Sequence, residues 1–351
     1  MPDITNVQNF RHAGAYGNTG TSVDGALKEF ADMVLLAYEE NLFIDSLHKT
    51  MSIGGGASSY QFPVMGKGTA TYHEAGDNLL TDEDASGTDY NQAIKSGERL
   101  IYADKKLVAS EFIDDLDQKI IHYEYRQMLA EMLARAVRLK SETNKIQTLY
   151  NTGLIAADSL FTGSTGGTVI ENSAMLTNPH VFVSEIFQAK QNMDEDDVPK
   201  DGRYLMIPPY QSKLMFEESS GSLPSFEWIN KDFRGAGSIA DGVVARIAGF
   251  MVVESNHIPT TAGTTYGAGD YNIFDTAGSP TGNDYSVTVP ASKGTGAIAF
   301  QYDAMATLSL EGLQVRAKYM DQYLGWLVYV TKVEGSGPLR PECVNILRAT
   351  S

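Results

Sequence analysis

Apolar positions along the chain mark a succession of helical and alternating segments, separated by long polar stretches. From Asp24 to Glu40, Leu27, Phe30, Met33, Val34 and Ala37 recur at helical spacing behind a polar, Gly/Asn/Thr-rich start that reads as an extended arm. Gly54-Gly55-Gly56 breaks the chain. Ser59 to Met65 then alternates as a strand, and Pro63 within it points to an edge or exposed position. Glu98 to Ser110 reads as a returning strand. Between them, residues 66–97 are polar and turn-rich, so the predicted shape is a long hairpin projecting from the body. Such a segment cannot bury itself and is either mobile or covered by a partner.

The strongest periodicity follows. Ile121, Tyr125, Met128, Leu129, Met132, Leu133 and Ala136 share one helical face, and Ile146, Leu149 and Tyr150 continue it less regularly. Glu131–Arg135 and Arg138–Glu142 are supporting i,i+4 pairs. A helix of ~30 residues would make a rod ~45 Å long, with its stop near Asn151-Thr152-Gly153. Residues 153–178 read as loop. Val181 to Asn192 is predicted as a helix with Val181, Ile186 and Ala189 apolar. Arg203 to Ile207 reads as a short buried strand, and Pro208-Pro209 opens a helix through Phe216. Val243 to Glu254 reads as a strand pair broken at Gly249, and residues 260–292 as loop. Strands are predicted at Ala297–Phe300, Met305–Leu310, Gln314–Met320, Trp326–Lys332 and Val344–Leu347. The class is α+β, with no internal repeat.

Charge and chemistry narrow this picture. The 351 residues carry a formal net charge of −17, which argues against a nucleic-acid groove or an anionic-membrane surface as the main contact. The one cysteine, Cys343, allows no intramolecular disulfide and no CxxC metal site. Neither a signal peptide nor a membrane-spanning run is visible. His12, His48, His73, His122, His180 and His257 lie far apart and outside any metal-binding spacing. No GxSxG or GxxxxGK[ST] occurs, and Gly294-Thr295-Gly296 lacks the third glycine of a nucleotide fingerprint. Asp82-Glu83-Asp84 lacks the closing Glu of a calcium loop, and Asp194 to Asp197 reads as an acidic helix end. Cys343 has no positioned histidine in the sequence and reads as a packed thiol. The expectation is a protein with no catalytic residues, no cofactor and no metal.

Several segments, in shared order, resemble the major capsid proteins of short-tailed phages of the autographivirus type, within the Hong Kong 97 capsid fold. Ser59-Tyr60-Gln61-Phe62-Pro63-Val64 followed by Gly66 resembles the family's strand entering an extended loop, and Thr71-Tyr72-His73-Glu74-Ala75-Gly76 its Tyr-x-x-x-Gly continuation. Leu107 to Ala136, through Asp114-Asp115 and Tyr123 to Arg126, is similar to the entry into the long spine helix. Val198-Pro199-Lys200-Asp201-Gly202-Arg203 resembles the start of the axial domain. Ile247-Ala248-Gly249-Phe250 through Val253 with His257, and the closing Leu339-Arg340-Pro341-Glu342, match further family stretches.

The resemblance implies an N-terminal arm and short helix over 1–58, an extended loop over 59–106 and a peripheral domain with the spine helix over 107–193. It further implies an axial domain over 194–312 and return strands of the peripheral domain over 313–351. It implies a non-enzymatic subunit that assembles into hexamers and pentamers of an icosahedral head. Its partners would be further copies of itself, a scaffolding protein, a portal at one vertex, a decoration protein and packaged double-stranded DNA held without sequence specificity, with no membrane. Glu74, Asp77, Asp82, Glu83, Asp84 and Asp89 are the candidate interface carboxylates, and Lys105, Lys106, Arg135 and Arg138 the candidate basic groups on a neighbour. Lys67 and Lys95 lie in the loop, but this branch implies no lysine–asparagine crosslink. Rival readings are another virion component, such as a tail-tube protein, and an acidic cytosolic hydrolase.

Overall fold

A computed structural model describes residues 43–54, 57–68, 70–80, 82–83, 87–91, 94–116, 125–157, 163–216, 246–267, 283, 285–291 and 294–350. The helix expected over Asp24–Glu40, the residues Ile121, Tyr123 and Asp84, and the side chain of Tyr125 lie outside this description.

The chain divides into two compact units. The described part of the first comprises residues 108–116, 125–136 and 314–330. The second is drawn from residues 40–107, 137–313 and 331–351. The segmentation implied by the resemblance differs from this division, since the final stretch from 313 onward contributes to both units.

The second unit is built on a six-stranded sheet. Its strands are β5 (Thr168–Glu171), β6 (Arg203–Ile207), β7 (Arg246–Ile247), β8 (Phe250–Glu254), β11 (Thr295–Gln301) and β14 (Val344–Arg348), in the order β5-β14-β11-β6-β8-β7. Every residue of the central strand β11 is buried, as a strand covered on both faces requires. Helix α2 (Pro179–Glu195) buries Phe182, Ile186, Ala189 and Met193, a stripe at i, i+4, i+7 and i+11. Phe182, Ile186 and Met193 each contribute about 1.5–3 kcal/mol of gross burial energy. The buried face is therefore Phe182's, whereas Val181 is half-buried. The helix starts at Pro179 because Asn178 caps it, accepting the His180 N–H at 3.0 Å. Helix α3 (Pro209–Phe216) starts at the second proline, as expected.

The long helix α1 runs Tyr125–Gly153 and ends where the sequence predicts. Its Ile146, Leu149 and Tyr150 enter the core of the second unit. Gly153 serves as more than a stop signal: a Cβ there would lie 2.7 Å from the Ile346 side chain, so glycine also permits the close approach to β14.

A second sheet has the order β1-β12-β13-β4, from β1 (Lys49–Ser52), β4 (Leu107–Asp114), β12 (Met305–Met320) and β13 (Gly325–Pro338). In the first unit, Ile113, Leu129 and Val328 form a small core, with Ala130 and Leu133 packed against it. The strands expected separately at Met305–Leu310 and Gln314–Met320 are one strand of 16 residues. The backbone runs as strand straight through Gly312. The single strand expected over Glu98–Ser110 is two, β3 (Ser96–Tyr102) and β4, which belong to different sheets. Part of the expected loop 153–178 is β5, recruited as a parallel partner of β14. Two short strands, β9 (Thr265–Tyr266) and β10 (Val287–Thr288), pair within the expected 260–292 loop. The break at Gly249 is a two-residue hairpin turn between β7 and β8, with Ala248 at φ 51 and Gly249 at φ 91.

Candidate assembly interface

The projecting hairpin starts as an ordinary antiparallel ladder. Strand β2 (Ser59–Met65) pairs with β3 from Ser59↔Tyr102 to Met65↔Ser96. The period of two sends Phe62, Val64 and Ile101 to one face, where they join Ala306, Leu308, Val333 and Leu339 in a buried cluster. Tyr60 meets Phe62 edge-on at 4.8 Å, and the Lys49 ammonium lies 5.8 Å from the Phe62 ring centroid. The opposite face carries Met65, 71% exposed, and Leu100. The base of the hairpin is thus fixed to the body by apolar burial, although the sequence reads the segment as unable to bury itself.

Beyond the Gly66 N–H bond to Lys95 O at 3.1 Å, the tip is held by its own polar groups. Tyr90 is the hub. Its hydroxyl donates to Asp77 Oδ2 at 2.9 Å and accepts the Glu74 N–H at 3.1 Å. The His73 ring packs 5.3 Å from the Tyr90 ring, and His73 Nε2 lies 3.0 Å from the Asp77 carbonyl. Asp82 accepts the Asn78 N–H through Oδ2 at 2.7 Å and returns its own N–H to Asn78 O at 3.0 Å. Glu83 and Asp89 face each other across an isolated antiparallel bridge.

The candidate carboxylates therefore fall into two groups. Asp77 and Asp82 are used as acceptors inside the tip, whereas Glu74, Glu83 and Asp89 are exposed. Sequence reasoning missed His73 and Tyr90. It also missed the exposed apolar groups Tyr72 (96%), Leu80 (75%) and Leu79 (59%), whose signal was an apolar residue standing in an otherwise charged loop.

The basic candidates are scattered. Lys105 and Arg138 are exposed and Arg135 is half-buried. Lys106 pairs with Glu311 at 3.3 Å. Lys67, on the outgoing arm, reaches Asp197 Oδ2 at 3.0 Å and the Asp196 carbonyl at 3.2 Å. Both side chains of that pair are exposed, so it contributes little stability. The turn before β6 is closed by Arg203, whose guanidinium donates to the carbonyls of Val198 (2.6 Å) and Pro199 (3.0 Å). Arg340 lies 3.6 Å from Glu342, a loose local pair.

A buried polar network centred on Glu334 adjoins the hairpin root, where the Asp104 N–H donates to Glu334 O. The Lys145 side chain is 2% exposed and its ammonium contacts both Asp45 and Glu334, the latter at 3.1 Å. Glu334 also holds Lys332 at 2.8 Å and accepts from Ser141. Burial alone would raise the Glu334 carboxyl, but the Lys145 and Lys332 ammonium groups outweigh it and hold the value below the usual range. His48 is buried; Ile44 O accepts from its Nδ1 at 2.7 Å, and Thr307 Oγ1 lies 2.7 Å from its Nε2. Burial, ahead of the Ile44 bond that opposes it, pushes His48 down to about 4.

Among the described residues, no group of three or more His, Cys, Asp or Glu side chains could hold a metal ion, and no helix is long and apolar enough to cross a membrane. Cys343 is buried, and burial pushes its thiol up to about 12, which keeps it protonated and unreactive at neutral pH.

The chain is similar to the major capsid protein of Escherichia phage T7, with 27% identity over 340 residues covering 91% of this chain and 90% of that one. It is 25% identical to the major capsid protein of Enterobacteria phage T3, with 98% of each covered. The capsid of cyanophage P-SCSP1u matches over 97% of this chain and 98% of that one, at 28% identity and a TM-score of 0.74. The mature capsid of bacteriophage PhiM1, at 17% identity and a TM-score of 0.68, shares the Hong Kong 97-like fold. The family described as "Gp10A-like: Major capsid protein" matches residues 61–348. Four-fifths of the sequence thus carries the family pattern, and the chain belongs to the Gp10A-like major capsid protein family.

Proposed function

We propose that the β2–β3 hairpin is the clasp by which each copy of this capsid subunit engages the next, and that copies so joined build hexamers and pentamers of an icosahedral head around the phage DNA. The observation that carries this reading is the contrast along the hairpin. Its base is buried on the chain's own core, while its tip presents Tyr72, Leu79 and Leu80 to solvent beside the exposed carboxylates Glu74, Glu83 and Asp89. Such apolar area, rimmed by charge, is suited to burial against another surface. The internal bonds of Tyr90, Asp77 and Asp82 keep the tip preformed, which lowers the ordering entropy of association. Many such contacts per shell sum through multivalency.

Exposed basic groups such as Lys105 and Arg138 on a neighbour supply the complementary charge, which sets register and encounter rate more than affinity. The shell's further partners are a scaffolding protein during assembly, a portal at one vertex and a decoration protein. The −17 net charge limits sticking of packaged DNA to the shell, while scattered Lys and Arg leave local contacts without sequence specificity. The family is structural and not an enzyme class.

Replacing residues 77–89 by a short Gly/Ser linker tests the clasp. The variant should keep the far-ultraviolet circular dichroism of the parent and fail to form regular shells by electron microscopy when co-expressed with scaffolding protein. Shells at parental yield would sink the reading.

A further inference from the structure

The root of the hairpin is more tightly specified than its tip. The Ala103 N–H donates to Ser58 O at 2.8 Å and closes the ladder, and the Asp104 N–H donates to Glu334 O at 3.1 Å. A segment remote in sequence then grips the same turn. Asn283, 8% exposed, donates through Nδ2 to Tyr102 O at 2.8 Å and to Asp104 Oδ1 at 2.9 Å. Tyr285, 4% exposed, donates its hydroxyl to Asp104 Oδ2 and accepts the Ser336 N–H at 2.9 Å. Gly335 lies against the Tyr102 carbonyl so closely that a Cβ would stand 1.8 Å from the oxygen. These contacts act on the returning arm of the hairpin where it rejoins the body, so they fix the direction in which the hairpin leaves.

We propose that Asp104, Asn283 and Tyr285 form a protonation-sensitive latch that sets the hairpin's direction, closing more firmly when Asp104 carries a proton. Its consequence for assembly rests on the clasp reading above; the latch itself does not.

The electrostatics follow from what surrounds the carboxyl. Among the described residues, its side-chain donors, Asn283 and Tyr285, are both neutral. On β13, the Glu334 carboxylate adds a repelling charge, and the nearby cations Lys145 and Lys332 are committed to Glu334, with Asp45 also on Lys145. On the root itself, Lys105 is exposed and Lys106 pairs with Glu311. His48 is held neutral down to about 4, and burial first, then Asp104, lifts the Tyr285 hydroxyl well above its ordinary value, so neither changes charge in the closed state as Asp104 titrates.

Burial, which the Tyr285 and Asn283 bonds oppose, therefore pushes Asp104 from 3.8 up to about 6. A carboxyl raised in the closed state favours closure at low pH, and that contribution is lost as pH rises through about 6. Between pH 5 and pH 7, the closed-to-open ratio should fall about tenfold.

Hydrogen exchange of the unassembled full chain, read by mass spectrometry on a peptide spanning 102–107 and corrected for intrinsic rates, tests this. Protection of the Ala103 and Asp104 amides should fall about tenfold from pH 5 to pH 7. The Asp104→Asn variant should show a flat profile, and Tyr285→Phe should lose protection throughout. A flat profile in the parent would overturn the proposal, and so would an unchanged slope in Asp104→Asn. Neither outcome depends on shell formation, which the 77–89 replacement probes separately.

Discussion

Introducing a single methyl group at Gly335 should separate the hairpin root from its seat. An alanine Cβ there would lie 1.8 Å from Tyr102 O, 2.9 Å from Tyr102 C and 2.7 Å from Asn283 Nδ2. Two of those three atoms are backbone, so no rotamer change relieves the overlap. A normal carbon–oxygen contact of about 3.3 Å requires the strands to part by roughly 1.5 Å. That displacement breaks the Asp104 N–H bond to Glu334 O and loosens the Asn283 bonds to Tyr102 and Asp104. Overpacking at about 1–3 kcal/mol, together with about 2 kcal/mol for one broken and two loosened hydrogen bonds, gives a loss of about 3–5 kcal/mol.

Gly312→Ala, in the neighbouring strand, is the matched control, because nothing lies within 4 Å of the Cβ position there. It should be neutral or stabilising by up to about 1 kcal/mol. With an unfolding entropy scaled to 351 residues, 1 kcal/mol corresponds to about 1.4 °C. Differential scanning calorimetry of the unassembled subunit should therefore place Gly335→Ala about 4–7 °C below the parent. Assembled shells would conceal the loss through linkage. If Gly335→Ala melts alongside Gly312→Ala, the close approach at the root is refuted.

Lys145→Met should destabilise the subunit by about 2–3 kcal/mol in urea titration, since it strands Glu334. The loss is moderated because Lys332 remains 2.8 Å from Glu334 and Asp45 is 66% exposed, and a midpoint equal to the parent's would contradict the pairing. His48 is neutral in the fold down to about 4 against an ordinary 6.5, so the stability it contributes is present above 6.5 and lost as pH falls toward 4. The stability difference between the parent and His48→Gln should accordingly shrink by about 2 kcal/mol from pH 7 to pH 5; a constant difference would show that His48 titrates normally. Tyr90→Phe removes the hydroxyl that joins Asp77 to the Glu74 N–H. Exchange at residues 74–82 should quicken while the melting temperature stays within about 1 °C, and unchanged exchange would remove Tyr90 as the organiser of the tip.

Much of the architecture was legible in the chain because it rests on local periodicity. The helical spacing through Met128, Leu129, Met132 and Leu133, the alternation of Ser59–Met65 and the turn at Gly249 are each set by neighbours within a few residues. The motifs from Ser59 to Glu342 likewise indicated the family that the matched stretch then established. Where expectation and structure part, strand partnership is the reason. Glu98–Ser110 looks continuous, yet β3 pairs with β2 and β4 with β13, and the break between them forms the root of the hairpin. Residues 168–171 look like loop until β14 supplies a ladder.

The sequence by itself determined the projecting hairpin, its acidic tip, the long helix and the lack of a recognisable catalytic motif. Only the tertiary structure decided how those pieces are used. It divided the tip carboxylates into internal acceptors and exposed groups, set Lys145 against Glu334, and brought Asn283 to Asp104 across 179 residues. Periodicity encodes which face of an element is buried. It carries no information on which distant polar group meets that face, because such pairings follow from the register of whole sheets.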